Sequence, residues 1–319
     1  MRYGTIPGLD KPVSRLVQGT AMLSSGALDN SFALLDQAFG SGCTAFDTAR
    51  MYRNGDSELV LGRWLEERGN REQVVVIGKG CGLGPGDTLR VSPEDITSDL
   101  HDSLETLGVD YIDLYLLHRD DRSIPVGPLV DTLSEHVKAG RVRAIGVSNW
   151  SPERIAEASA HAADRGLTPF VASSPQYSLA EQLTPPWAAN LTISGGQGAD
   201  ARRWYADHDF PVFVWSSLAG GFFSGRFRRD NLESLTEQAD VRVIGSYASE
   251  GNFRRLDRAA ELAAQKSATA PQIALAYVLH QPLNIFAVTG ARTPAECAEN
   301  VAAMDIELSL QEIAWLEGA

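Results

Sequence analysis

The feature that most constrains this chain is an alternation, repeated along its length, of a short apolar run with a stretch of helical apolar spacing. Segment 44–47 (TAFD) precedes 57–68, 74–79 (VVVIGK) precedes 93–107, 111–118 (YIDLYLLH) precedes 127–138, and 143–148 (RAIGVS) precedes 152–163. Each apolar run has strand length and β-branched or aromatic residues. The segments between them place apolar residues at i, i+3 and i+4 or beyond, as at Ile155, Ala158 and Ala162. The series continues through 170–174, 212–216 (VFVWS) and 285–288, and 16–19 (LVQG) supplies a first strand. About eight such units are what a closed (β/α)8 barrel needs, so the expected fold is α/β, a TIM barrel forming a single domain over 1–319.

Punctuation agrees with this reading. Ser92-Pro93 and Ser151-Pro152 each set a capping serine before a proline at the first helical position, while Gly108, Gly140 and Gly166 stand where helices should stop. No inter-domain linker stands out. Two long polar or glycine-rich segments, 178–198 and 220–252, read as irregular loops, and both follow strands, on the face where barrel active sites are built.

Charge narrows the partners. The 319 residues carry 28 Lys and Arg against 41 Asp and Glu, a formal −13, which repels nucleic acid and anionic membrane faces. No stretch of about 18 apolar residues occurs and the N-terminus lacks the apolar core of a signal peptide. Cys43, Cys81 and Cys297 are an odd, widely spaced set that makes neither a disulfide framework nor a metal cage, which fits reduced thiols in a cytoplasm. Nothing here specifies an oligomeric state, and no metal-ligand cluster is present.

Four polar residues fall at or just beyond the C-terminal ends of successive strands: Asp47, Tyr52, Lys79 and His118. Singly, Asp47, Lys79 and His118 have bland readings: a turn cap, a solvated loop lysine and a satisfied core histidine. Together at a barrel mouth the four suit proton donation. An ammonium beside a phenol lowers the phenol's pKa, a carboxylate keeps the ammonium charged, and an imidazole orients an oxygen.

The blocks FDTARMYRNGDSELVLGRWL, VVVIGKG, DLYLLHRD, RVRAIGVSNW, SPQYSL, WSSLAGGFFSGRF and VTGARTPAECAENVAA, in that order, resemble the signature segments of the aldo-keto reductase superfamily, including its branch similar to potassium-channel β subunits. The resemblance implies a (β/α)8 barrel that moves a hydride between a nicotinamide cofactor and a carbonyl carbon. It places the catalytic tetrad on Asp47, Tyr52, Lys79 and His118, with Tyr52 as acid and base. It also implies nicotinamide contacts at Gly19, Thr20, Asp47, Ser148, Asn149, Ser174 and Trp215. A pyrophosphate loop follows at Ser216, Leu218, Ala219, Gly221 and Arg226, and an adenosine site at Gly290, Arg292, Glu299 and Asn300.

Three positions depart from the family pattern. Ser174 replaces a glutamine, which removes a carboxamide contact, and Ser217 replaces a proline, which frees a backbone N–H and loosens the loop. Glu296 replaces an arginine or glutamine, which opposes a 2′-phosphate and admits NADH, whereas Arg292 favours NADPH. On the resemblance the expected cofactor is NADPH and the expected substrate a small carbonyl compound or alcohol: an aldehyde, ketone or sugar. The alternative is a regulatory subunit that senses nicotinamide cofactor with little turnover, suggested by Trp215 and the long loops.

Overall fold

The computed structural model describes residues 1–318. Two short strands, β1 (Tyr3–Gly4) and β2 (Val13–Ser14), form an antiparallel hairpin. The chain then runs β3 (Leu16–Gly19), α1 (Leu28–Gly40), β4 (Ala45–Asp47), α2 (Asp56–Arg68), β5 (Val75–Gly80), α3 (Pro93–Leu107), β6 (Ile112–Leu117) and α4 (Val126–Lys138). It continues with β7 (Val142–Ser148), α5 (Pro152–Arg165), β8 (Ser173–Ser174), α6 (Ala199–Asp207), β9 (Val212–Val214), α7 (Gln238–Tyr247), α8 (Glu250–Lys266) and α9 (Ala270–Leu279). The last elements are β10 (Ile285–Thr289), α10 (Pro294–Ala302) and α11 (Leu310–Glu317). Strands β3 to β10 are parallel and close into a barrel in chain order, β10 pairing with both β9 and β3. No helix among the described residues is long and apolar enough to cross a membrane.

Alternation along each strand sets what fills the barrel, because successive side chains face opposite sides. Val17, Ala45, Val75, Ile77, Leu114, Leu116, Ala144, Ala172, Phe213, Phe286 and Val288 form one apolar cluster inside it, with Phe213 and Phe286 stacked at 4.6 Å. The hairpin, absent from the expectation because its strands are two residues long, closes the N-terminal end with Ile6 and Val13 in that same cluster. A second, larger cluster lies between strands and helices.

The local signals work as the sequence suggests. Ser92 makes a full capping box with Asp95, Ser151 caps Arg154 N–H, and Gly108 and Gly166 end their helices in the left-handed conformation. One expectation needs correction. Segment 220–252 is not an irregular loop: it holds α7, which buries Ser246 and Tyr247, and the first residues of α8. The mixed polar and apolar residues 238–247 hid that helix.

Candidate active site

Continuing the same alternation two residues past the apolar layers gives the floor of the mouth. Val17 leads to Gly19, Ala45 to Asp47, Ile77 to Lys79, Leu116 to His118, Ala172 to Ser174, and Phe213 to Trp215. Ala144 leads, after Gly146, to Ser148, and Val288 to Gly290. Eight expected site residues therefore share one inward-facing ring, and register alone puts them there.

The tetrad is brought together. Lys79 Nζ lies 2.6 Å from Asp47 Oδ2 and donates to the Thr48 carbonyl at 2.9 Å, with both charged side chains at most 5% exposed. Tyr52, on the turn after β4, is half-buried, with its ring centroid 5.2 Å from Lys79 Nζ and 5.8 Å from the His118 ring in an edge-on arrangement. The turn that carries it needs positive φ at Arg53, Asn54 and Gly55.

Burial would push the Lys79 ammonium down, but Asp47 and Tyr52 outweigh it and the net direction is up, so Lys79 stays charged. Tyr52 corrects an expectation. Burial pushes its phenol up, Lys79 pulls it down without overcoming burial, and the hydroxyl therefore holds its proton at neutral pH. His118 is forced well below the ordinary imidazole range by burial, then by Arg119 and Lys79, and is neutral. Its Nδ1 has no partner among the described residues.

Thr20 donates its N–H to Asp47 O at 2.9 Å, and its buried Oγ1 has no partner. Asn149, at φ 63°, donates to His118 O and Ser148 Oγ, and its Oδ1 accepts from Leu191 N–H and Trp215 Nε1. The Trp215 ring is thereby held in place while remaining partly exposed, and Trp187 packs 5.9 Å from it.

Two of the departures have physical answers. Ser174 donates its hydroxyl to Phe213 O at 2.7 Å, so it is turned into the barrel wall. Ser217 does not loosen its loop: its buried hydroxyl reaches both Val214 O and Val288 O at 3.0 Å, tying the ends of β9 and β10.

Beyond β9, positive φ at Ser216, Ala219, Gly220 and Gly221 folds the chain into a tight turn that also carries Leu218. Arg226 is not a free phosphate ligand: its Nε donates to Asp240 Oδ1 at 2.8 Å. Asp240 lies on α7, the helix missed in the sequence, so this pairing was not legible. At the start of α10, Glu296 accepts the Arg292 backbone N–H at 2.7 Å, while the Arg292 guanidinium is exposed and has no partner among the described residues. Glu299 is exposed, Asn300 is partly buried, and neither side chain has a partner among the described residues.

Sequence reasoning passed over three further residues. Gln176, fully buried, anchors 178–198 by accepting from Thr192 and Ser194 hydroxyls and donating to Ser178. Glu58 is fully buried on α2 with neither carboxyl oxygen partnered, and burial pushes it up to about 7. A carboxylate on the apolar stripe of Val60, Leu61, Trp64 and Leu65 was the visible signal. Arg119 is the third. A shallow cleft near Arg122, Ser123, Glu153 and Arg154 lies apart from the tetrad, and its Arg154 is paired with Asp120.

Residues 15–319 match the family model for the aldo/keto reductase family. The chain belongs to that family. It is 30% identical to the aldo-keto reductase str7 of Strobilurus tenacellus over 90% of this chain and 80% of the relative. It is 29% identical to a putative voltage-gated potassium channel subunit beta of Schizosaccharomyces pombe, covering 85% and 78%. Among solved structures, a glycerol dehydrogenase from Gluconobacter oxydans superposes with TM-score 0.78 at 25% identity, covering 99% of this chain and 94% of that one. An aldo-keto reductase from Klebsiella pneumoniae in complex with NADPH gives 0.73 at 25%, covering 99% and 95%. The aldo-keto reductase barrel assembled from the alternation of its strands is thus the family's barrel.

Proposed function

We propose that this aldo-keto reductase interconverts a carbonyl compound and its alcohol with a nicotinamide cofactor, NADPH before NADH. The observation that carries the reading is the Asp47–Lys79 pair, 2.6 Å apart, beside a protonated Tyr52 and a neutral His118. The cofactor supplies, from its nicotinamide C4, the electron pair that reaches the carbonyl carbon. Tyr52 gives the carbonyl oxygen its proton in reduction and takes it back in oxidation. Lys79, as an ammonium, stabilises the negative charge that develops on the phenolate oxygen, and Asp47 fixes Lys79 in place. His118, neutral, orients the carbonyl oxygen by a hydrogen bond without competing for the proton.

The residues fit such a cofactor. Positive φ at Ala219, Gly220 and Gly221 folds a tight turn of small residues that lets phosphate oxygens approach the backbone; Ala219 and Gly221 donate their N–H groups within the turn, to Ser216 O and Leu218 O. A side chain at Gly290 would meet nothing within 4 Å, leaving room at the rim. Trp215 offers a ring face, and the orphan hydroxyl of Thr20 a donor, at the nicotinamide end. Ser148 and Asn149 would flank the carboxamide. At the other end Arg292 would meet a 2′-phosphate, with Glu299 and Asn300 beside the adenine. Glu296 spends one oxygen on its own helix start, which weakens its opposition to a phosphate. Tyr52 and Lys79 at the mouth favour turnover over a purely sensing subunit.

The test is a titration of tryptophan emission with NADPH and with NADH, on the wild type and on Tyr52→Phe. Saturable quenching by both proteins is expected, tighter with NADPH, while turnover of aldehydes falls by about 10²- to 10⁴-fold in the variant. Absence of saturable quenching by either nucleotide, or full turnover by Tyr52→Phe, overturns the reading.

A further inference from the structure

Among the described residues two arginines, Arg119 and Arg154, are buried, and they differ in one respect. Arg154, 7% exposed, is surrounded by acceptors: Asp120, Glu157 and the carbonyls of Asp121 and Ile124. Arg119, 5% exposed, has one acceptor, the carbonyl of His118 at 2.8 Å from its Nη1. Its Nε is buried without a partner, its Nη2 donates to nothing among the described residues, and the one carboxylate that acts on it, Asp87, does so without forming an ion pair. A buried cation without an ion-pair partner is costly, and folds rarely keep one that has no use.

Its position says what that use is. Arg119 follows His118 in the chain, its carbonyl accepts from Trp150 Nε1 at 3.1 Å, and its charge is felt by both Tyr52 and His118. The backbone bond through Nη1 pins the guanidinium and leaves the Nε–Nη2 edge, the edge that grips two anionic oxygens side by side, unclaimed.

We propose that Arg119 is the substrate's anion-binding residue, so that this enzyme takes carbonyl compounds bearing a carboxylate or a phosphate a few bonds from the reacting carbon. This rests on the reductase reading above. The overall charge of −13 does not oppose it, because distant surface charges are screened beyond about 8 Å whereas a guanidinium in a dry site acts at contact. The cofactor does not claim this residue either, since Arg292, the exposed cation that would meet its phosphate, lies in the segment after β10.

The experiment compares kcat/KM for 4-oxobutanoate with that for its methyl ester, and for glyceraldehyde 3-phosphate with glyceraldehyde, in wild type, Arg119→Met and Arg119→Lys. The wild type is expected to favour one anionic member by about a hundredfold, the scale set by breaking a buried charge pair, and the pair that shows it identifies the anion. Arg119→Met should lose that preference mainly through KM, the anionic member falling about tenfold or more beyond the neutral one, and melt no lower than wild type; Arg119→Lys should recover part of it. Equal preference in the wild type, or an equal fall for both members in Arg119→Met, overturns the proposal and makes Arg119 a support of Tyr52 instead. Should the wild type reduce none of the four while it turns over other aldehydes, the anion preference is overturned; should it turn over no aldehyde at all, the reductase reading is what fails. Calorimetric titration with succinate and with inorganic phosphate then reads the anion site by itself, and absence of an Arg119-dependent signal overturns it.

Discussion

The two ends of this barrel treat buried charge in opposite ways. At the N-terminal end, Asp113 is paired with Lys11 at 2.9 Å and Arg71 at 2.8 Å, and accepts the Val76 N–H at 2.9 Å. The Tyr111 ring lies against the same two cations and Arg143. The Asp113 carboxylate there is fully engaged. At the C-terminal end, Thr20 Oγ1, Thr48 Oγ1, both oxygens of Glu58, Tyr115 OH, His118 Nδ1 and Arg119 Nε are buried without partners. Buried polar atoms are normally satisfied; Asn70, Arg71 Nε and His136 Nδ1 are orphans elsewhere, but Thr20, Thr48 and His118 belong to the tetrad or bond it, which marks the mouth as a place where polar groups are kept for something other than folding. One end closes its charges on one another, and the other leaves polar groups uncommitted beside its Asp47–Lys79 pair.

The contrast is broken most forcefully by Asp113→Ala. It leaves Lys11 and Arg71, each no more than 17% exposed, facing each other without a counter-charge. Breaking a buried pair in this way costs about 3–5 kcal/mol, and urea denaturation should show a loss of that size. Turnover per folded molecule, measured well below the new midpoint, should be unchanged. A variant that kept its stability and lost turnover would mean that this end of the barrel serves the chemistry too.

A smaller effect sharpens the other side of the comparison. Burial raises Glu58 from an ordinary 4.5 to about 7, with the nearby Ser103 hydroxyl, Arg50 and Lys79 opposing and Asp99 adding to it, although neither carboxyl oxygen has a hydrogen bond of good geometry. The folded state then holds a proton that the unfolded state releases. Stability is full below about 4.5, falls as pH rises through the interval, and levels off above about 7. The loss amounts to about 3 kcal/mol, at roughly 1.4 kcal/mol per unit. Glu58→Gln removes that slope, so the two proteins should diverge in Tm between pH 4.5 and 7, with the variant higher at pH 8. Parallel Tm curves would show that Glu58 is solvated or paired in solution.

Much of this was legible in the sequence because one periodicity governs both fold and site. Strand alternation that fills the barrel with Val17, Ile77, Leu116 and Phe213 also delivers Gly19, Lys79, His118 and Trp215 to the mouth. Residues that no strand carries were harder. Arg226 looked free because Asp240 is on a helix whose residues 238–247 mix polar and apolar positions, and the β1–β2 hairpin is too short to show alternation. Tyr52 was misread in direction because a sequence shows the neighbouring lysine and not the burial that outweighs it. Ser217 was misread because a hydroxyl that bridges two strand ends is visible only once the strands are side by side.

Glu296 tests the comparison at its weakest point, the exposed rim of the mouth. Its Oε2 caps the helix start by accepting Arg292 N–H at 2.7 Å, which a glutamine carbonyl can also do, so Glu296→Gln removes a charge and keeps the acceptor. Both groups are exposed and screened by solvent, which limits the gain for a phosphate to the scale of a surface ion pair, at most about 1 kcal/mol. NADPH should bind the variant about two- to fivefold more tightly, NADH should bind unchanged, and the difference should shrink with added salt. Equal tightening of both nucleotides would place the effect in the helix cap and not at the 2′-position, and no change in either would leave Arg292 as the residue that decides between them.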